Sequence, residues 1–277
     1  MAREPVRIFD TTLRDGLRNS GIVLGLAEKV RFARQLERLG VDAIEIGFGG
    51  PHEIDSMHAI AAAVGEPIVI GLSRVNRKDV DRVLRGVERA RRPGVNVFQP
   101  TSEAFLAKAG TCRERALEAS VRAVAHAKRH VDHVQFSAQD ASRSDTGYLA
   151  ELLAAVACAG ATVLCITDTV SHAAPAQFGA LCRELRARVA TGEGVTWSVH
   201  CHNQRGLAVA NCLAAVEQGI GQVECTVSGV GEGAGNTPLE GVLEALRDRE
   251  PAQARISLGR LAETGELLRA ISRQEIR

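Results

Sequence analysis

Apolar and polar positions along the chain switch between two periods, and they do so eight times. Runs at 6–10 (VRIFD), 43–48 (AIEIGF), 67–72 (PIVIGL) and 95–100 (VNVFQP) read as buried strands, as do 133–138 (HVQFSA), 162–167 (TVLCIT), 196–202 (TWSVHCH) and 222–228 (QVECTVS). Between them lie segments with apolar residues three and four apart, such as AEKVRFARQLERLG, RKDVDRVLRGVERA, RALEASVRAVAHAKRH and LAVANCLAAVEQG. These read as amphipathic helices, and several end on Gly, as helix C-termini tend to. Helical crossovers between successive strands force the strands parallel. Eight equal units fit a closed (β/α)8 TIM barrel better than an open doubly wound sheet. The expected organisation is one α/β domain over 1–277, with the barrel at about 5–250 and one extra C-terminal helix within 251–277.

Composition removes some classes of function. The 34 Lys and Arg against 33 Asp and Glu give a net charge of +1, so no global field draws nucleic acid or an anionic membrane. Aromatic residues are only 3%, too few for a base-stacking surface. No apolar run approaches the roughly 18–20 residues needed to span a bilayer. Seven scattered cysteines without a CxxC pair, and no signal peptide, suggest reduced thiols and a cytoplasmic protein.

A barrel of this type carries its chemistry where strands end and βα loops begin. Those positions hold DTTLRDG, EIGFGGP, SAQDASRSD, TDTVSH, HCHNQ and SGVGEGAGN, the most polar and Gly-rich stretches of the chain. On strand 7, His200 and His202 lie two apart, so both can aim into the barrel mouth, while Cys201 faces the helices. An HxH pair by itself leaves two readings open, a metal site or two hydrogen-bonded histidines. A carboxylate in reach favours the metal. In a closed barrel strands 1 and 7 are separated only by strand 8, roughly 10 Å between axes. Asp15 can span that gap and complete a two-His, one-carboxylate set, with Asn236 adding an oxygen from the loop after strand 8. Such donors suit Zn, Mn or Mg. Arg14 beside Asp15 would be costly near a cation without an anionic substrate between them.

Other polar residues admit structural readings. Asp10 is expected to cap the turn after strand 1. Glu45, a carboxylate inside a strand, needs a partner, either a structural arginine or a substrate. GVGEGAGN loosely fits a dinucleotide loop but follows the last strand, so its glycines more plausibly bring backbone N–H groups close to a substrate. His172 fits a loop histidine as well as a site residue.

FDTTLRDG, HCHNQRGLAVAN and ECTVSGVGEGAGNTPLE, in this order and with FSAQDASRSD and TDTVS between the first two, resemble the DRE-TIM metallolyase superfamily. Within it the chain is most similar to 2-isopropylmalate, homocitrate and citramalate synthases. The resemblance implies Asp15, His200 and His202 as ligands of a divalent metal, with Asn236 nearby or a fourth ligand. It implies Arg14 as the residue that stabilises an enolate and polarises substrate, and Thr169 as a contact to a 2-oxo acid carboxylate. Acyl-CoA is the implied co-substrate, and a homodimer the implied assembly. The implied reaction joins the acyl-CoA α-carbon to the ketone of a 2-oxo acid and hydrolyses the thioester.

The sequence departs from the family pattern where Leu17 and Arg18 follow LRDG, and where Gln139 replaces a strand-5 Glu implicated in activating the acyl-CoA. It departs again at Asn96, Phe105, Gln204, Arg205 and Gly233. Arg18 and Arg205 fit an extra anionic group on the substrate, or solvent-facing loops equally well. No counterpart of the family's lid subdomain follows the barrel, which raises the expectation of a separate lid subunit. Two alternatives therefore stay open beside the synthase: a metal-dependent lyase or aldolase of the HMG-CoA lyase type, and a non-catalytic barrel needing a partner chain.

Overall fold

The computed structural model describes residues 5–50, 52–192, 194–247 and 256–272. Eight parallel strands close into one barrel in sequence order, β1 (Arg7–Asp10), β2 (Ala43–Glu45), β3 (Ile68–Arg74), β4 (Pro93–Pro100), β5 (His133–Gln139), β6 (Val163–Asp168), β7 (Thr196–Cys201) and β8 (Gln222–Cys225). Closure is made by β1 against β8, with Arg7 opposite Gln222 and Asp10 opposite Cys225. All eight strands fall where the short apolar, β-rich runs place them.

Among the described residues ten α-helices surround them: α1 (Leu26–Leu39), α2 (Ile54–Ala63), α3 (Arg77–Val87), α4 (Glu103–Lys108), α5 (Arg113–Lys128), α6 (Thr146–Cys158), α7 (Pro175–Arg188), α8 (Ala208–Glu217), α9 (Leu239–Arg247) and α10 (Leu258–Ser272). Caps set several boundaries. Asn76, Ser102 and Asp145 accept the N–H of Asp79, Phe105 and Tyr148 at the starts of α3, α4 and α6. Gly40 ends α1 in the left-handed conformation that spares glycine a Cβ clash. The expected extra helix is α10, tied to α1 by a 3.1 Å bond from Gln35 to Thr264. The expected junction at 250–251 lies outside the described residues. Helix α4 was not expected, and no segment was named for α2, although eight strand–helix units require it as the β2–β3 crossover. IDSMHAIAAA is apolar on most of its circumference, so it carries little of the polar stripe that marks an amphipathic helix.

The main core lies between sheet and helices, where Phe32, Leu36, Met57, Phe136, Leu149 and Phe178 are fully buried. Inside the barrel the packing differs. Phe9, Ala43 and Ile70 form a small apolar plug on the β1–β3 side. Across from it the inward positions are polar: Asn96, Gln135, Ser137, Ser198, Gln222 and Glu224, all buried. Such residues survive burial only when they satisfy one another. They do: Gln222 Nε2 donates to Gln135 Oε1 at 3.0 Å and to Ser198 at 3.1 Å, and Gln135 Nε2 donates to Glu224 at 2.6 Å. Among the described residues no helix is long and apolar enough to cross a membrane.

Asp10 caps the turn after β1 as expected. Its carboxylate accepts the Thr12 N–H and the Thr12 hydroxyl, both at 2.9 Å, and that hydroxyl in turn accepts the N–H of Val227. Burial pushes the Asp10 carboxyl up to about 7, from an ordinary 3.8, against these bonds. A folded-state value above the unfolded one means that the folded chain holds a proton the unfolded chain lacks between about pH 4 and 7. The resulting stability is therefore present below pH 4 and lost as pH rises to 7. Asp10→Asn, neutral throughout, removes that decline. In urea titrations its unfolding free energy relative to wild type rises from pH 5 to pH 8, and a constant difference contradicts this assignment.

Candidate active site

After β1 the chain makes one tight π-type turn, Thr12–Gly16, around the Thr11 carbonyl, which accepts the N–H groups of Arg14, Asp15 and Gly16. This turn aims Arg14 and Asp15 together into the C-terminal mouth of the barrel. Gly16 is required by close approach, because a Cβ there would lie 2.9 Å from a Val230 methyl. On β7, His200 and His202 point the same way, their ring centroids 5.1 Å apart. Asp15 Oδ2 lies 3.3 Å from His200 Nε2 and 3.7 Å from His202 Nε2. One donor atom from each of the three residues falls within 4.8 Å of the others, a separation that a shared cation can bridge. Cys201, between the histidines, is buried towards the helices, beside Cys212.

Asn236 arrives from the loop after β8 and forms an isolated antiparallel bridge with His202. Its N–H donates to Gly229 at 3.0 Å and its Nδ2 donates to Val230 at 3.2 Å. Its Oδ1 is buried without a hydrogen-bond partner among the described residues. A buried amide oxygen left open on a segment bridged to His202 can serve as a further donor to a cation held there. The loop reaches this position through Gly235 (φ +85), where a Cβ would overlap the Gly229 carbonyl oxygen.

Arg14 ties the mouth together. Its Nε donates to Glu45 Oε2 at 2.5 Å, Nη2 pairs with the same oxygen, and Nη1 donates to Asp15 Oδ1 at 2.7 Å. Glu45 thus has the arginine partner that its place inside a strand demands, and Asn96 donates to its second oxygen at 3.1 Å. From Asn96 the bonds continue through Ser137 (2.8 Å) and Gln135 (3.1 Å) to Glu224, and from Glu224 to His200 Nδ1 at 3.0 Å. The circuit closes at Asp15. Glu224 was not among the expected site residues. It stands opposite His200 in the β7–β8 register, and it takes His200 Nδ1 so that Nε2 faces Asp15 and the mouth.

The charges respond to this enclosure. Burial alone would raise Asp15, but the Arg14 guanidinium and both histidines hold its carboxyl well below the usual carboxylate range. Burial would lower His200, but its bonds to Asp15 and Glu224 raise it to about 10. His202, desolvated and facing His200, is pushed down to about 4. Arg14 stays charged despite burial, through Asp15 and Glu45. The Asp15, Glu45 and Glu224 carboxyl groups here meet two cationic groups, the Arg14 guanidinium and the His200 ring.

The remaining expected residues fall around this centre. Gln139 ends β5 in the inward register of Gln135 and Ser137. Thr169, just past β6, accepts the Asp140 N–H at 2.9 Å, and its hydroxyl stands 3.3 Å from that of Thr167, whose own hydrogen goes to the Ala138 carbonyl. Arg18 is exposed beyond the π-type turn. Arg205 is exposed too, and donates to the His172 carbonyl at 2.8 Å, so His172 acts as a loop residue here. Gln204 stands 3.5 Å from His202 Nδ1 and bonds to Ser171.

The fold is thus a parallel eight-stranded barrel with a candidate two-His, one-carboxylate metal centre at its C-terminal mouth. The chain belongs to the HMGL-like family, whose profile matches residues 5–268. It is 42% identical over 276 residues to a 2-isopropylmalate synthase of Nitrosomonas eutropha, covering 98% of this chain and 54% of that one. A 2-isopropylmalate synthase of Pyrococcus furiosus is 41% identical, covering 100% of this chain and 56% of its own. The chain thus spans about half the length of these curated relatives. Among solved structures, the HMG-CoA lyase of Bacillus subtilis superposes with a TM-score of 0.84 at 21% identity, covering 98% of this chain and 95% of the lyase. That of Pseudomonas aeruginosa gives 0.83 at 23%, covering 97% and 93%. At such identities the likeness is one of fold.

Two substitutions test the centre. His202→Ala lowers the divalent metal retained per chain after dialysis, and undiminished stoichiometry contradicts its assignment. Glu224→Gln weakens Mn(II) affinity by about 10–100-fold, as loss of a carboxylate behind a ligating histidine does. Calorimetric titration showing wild-type affinity removes Glu224 from that role.

Proposed function

We propose that this barrel is the catalytic part of a metal-dependent acyltransferase. It joins the α-carbon of an acyl-CoA, acetyl-CoA in the first instance, to the ketone carbon of a 2-oxo acid. Hydrolysis of the thioester then gives a 2-alkylmalate- or homocitrate-like product. The observation that carries this reading is the Asp15–His200–His202 triad with Arg14 on its rim, in a chain over 40% identical to 2-isopropylmalate synthases along nearly its whole length. We read residues 1–277 as one catalytic unit, with the helix near the C-terminus as its extension.

Asp15, His200, His202 and the open Asn236 oxygen would hold Zn, Mn or Mg, which supplies Lewis acidity towards the oxygens of a bound 2-oxo acid. Arg14 has five N–H groups and commits three of them to Asp15 and Glu45. Two remain to meet negative charge developing on a substrate oxygen, in a site too enclosed for water to screen it. Glu45 fixes the guanidinium plane. The Thr169 hydroxyl would turn from Thr167 to a substrate carboxylate, and Arg18 and Arg205 would serve a second anionic group entering from solvent. A carboxamide at Gln139 can orient an acyl thioester but cannot accept its α-proton at neutral pH. That proton therefore goes to a group outside this barrel, from a second copy in a homodimer or from a lid-bearing subunit. Seven free thiols, five of them buried, support a cytoplasmic setting.

Incubating the metal-replete protein with acetyl-CoA and a panel of 2-oxo acids tests the reading. Free-thiol release that requires an oxo acid, with the condensed acid seen by mass spectrometry, is expected. Release of a 2-oxo acid or acyl-CoA from a 3-hydroxyacyl thioester or 4-hydroxy-2-oxo acid instead assigns the lyase direction, and inertness in both assays assigns the non-catalytic barrel. Gln139→Glu, which restores a proton acceptor, is expected to raise thiol release about 10-fold or more, the low end of general-base catalysis. No gain with any oxo acid removes Gln139 from the acyl-CoA subsite.

A further inference from the structure

The opposite, N-terminal opening of the barrel is a second polar cavity, of about 580 Å³, far from the metal-binding mouth. Its floor is made by inward positions at the strand starts, Arg7 on β1, Ile68 on β3 and His133 on β5. Gly94, opposite His133 on β4, leaves the space open, since a Cβ there would lie 2.9 Å from the His133 ring. The rim carries Arg91, Arg92, Lys128 and Arg129. Five cations thus face one lining carboxylate, Asp132. Composition does not explain this, because the chain as a whole is balanced to +1.

The cations are held without being neutralised. Arg92 donates to the Glu66 carbonyl at 2.7 Å, Lys128 to the Asp132 carbonyl at 2.7 Å, and Arg129 to the His126 ring at 2.9 Å. These neutral acceptors fix the charged heads but cancel no charge. Arg7 makes no ion pair among the described residues, and Arg91 meets Glu66 only at 3.5 Å on the exposed rim. Beneath them the His133 ring lines the cavity, its Nε2 buried with no hydrogen-bond partner among the described residues. Burial, together with Arg7, Arg92 and Lys128, pushes its ring down to about 4. The ring is therefore neutral near pH 7 and reports the positive field of the opening.

We propose that this opening binds the phosphate group of a small metabolite, with Arg7, Arg92 and Lys128 as its principal ligands. Several uncompensated cations converging on one concavity exceed what a single carboxylate can pair, and match the charge and multiple acceptor oxygens of a phosphate. The volume lies within the range of about 300–1,000 Å³ for small-molecule sites. The site takes either free phosphate or a phosphate monoester, since both present the same terminal oxygens.

The test is calorimetric titration of the intact protein at fixed ionic strength with inorganic phosphate and, separately, with glycerol 3-phosphate. Saturable 1:1 binding of either is expected; tighter binding of the ester assigns a phosphorylated metabolite, and tighter binding of phosphate assigns the free ion. Lys128→Gln and Arg92→Gln each weaken it by about tenfold or more, while His202→Ala, at the other end of the barrel, leaves it unchanged. In ring ¹⁵N spectra the His133 pKa rises from about 4 as phosphate saturates. The proposal fails if neither anion saturates, if both charge variants bind like wild type, or if His202→Ala abolishes binding. Failure of the acyltransferase reading leaves each of these readouts unaffected.

Discussion

A single guanidinium shared by two buried carboxylates is the contact on which the mouth of this barrel depends. Arg14 bridges Asp15, on its own turn, and Glu45, on the neighbouring strand. Each carboxylate is nearly or wholly removed from solvent. Breaking such a pair by deleting one partner leaves an uncompensated buried charge, which is far more costly than never having built it. The arrangement therefore constrains everything around it. Asp15 cannot turn away from the histidines without giving up Arg14, and Arg14 cannot move without exposing Glu45.

The strain of that concentration is spread through the barrel interior instead of being met by solvent. Asn96, Ser137 and Gln135 carry hydrogen bonds from Glu45 across to Glu224, and Glu224 fixes His200. A polar layer of this kind is stable only when every member is satisfied. At the mouth above this layer the Asn236 oxygen is left without a hydrogen bond, on a segment bridged to His202. The apolar plug of Phe9, Ala43 and Ile70 fills the opposite wall. The interior is thus divided, with packing on one side and a charged, preorganised site on the other.

Much of this was legible in the chain, and the part that was not has a physical reason. Short apolar, β-rich runs located all eight strands, because parallel strands buried on both faces are dense in Val and Ile. HxH gave the inward pair, and barrel closure placed Asp15 within reach of it. Glu224 was missed although it carries the same mark as Glu45, a carboxylate within an apolar strand. Its importance comes from lying opposite His200, a matter of register between strands that no local pattern encodes. The links from Asn96 through Ser137 and Gln135 join residues far apart in sequence and were invisible for the same reason. Helix α2 was implied by the eight-unit count but its segment was not picked out, because its composition is apolar nearly all round. The cationic N-terminal opening gathers Arg7, Arg92 and Lys128 from three separate segments that each look like ordinary solvated surface.

The central claim is that four donors from three separate segments converge on one cation. Anomalous diffraction from crystals grown with Mn(II) measures this most directly. The account predicts one strong peak at the C-terminal mouth, within coordination distance of Asp15, His200, His202 and the Asn236 side-chain oxygen. A mouth without a peak, or an ion bound there beyond coordination distance of the Asn236 side-chain oxygen, would contradict it.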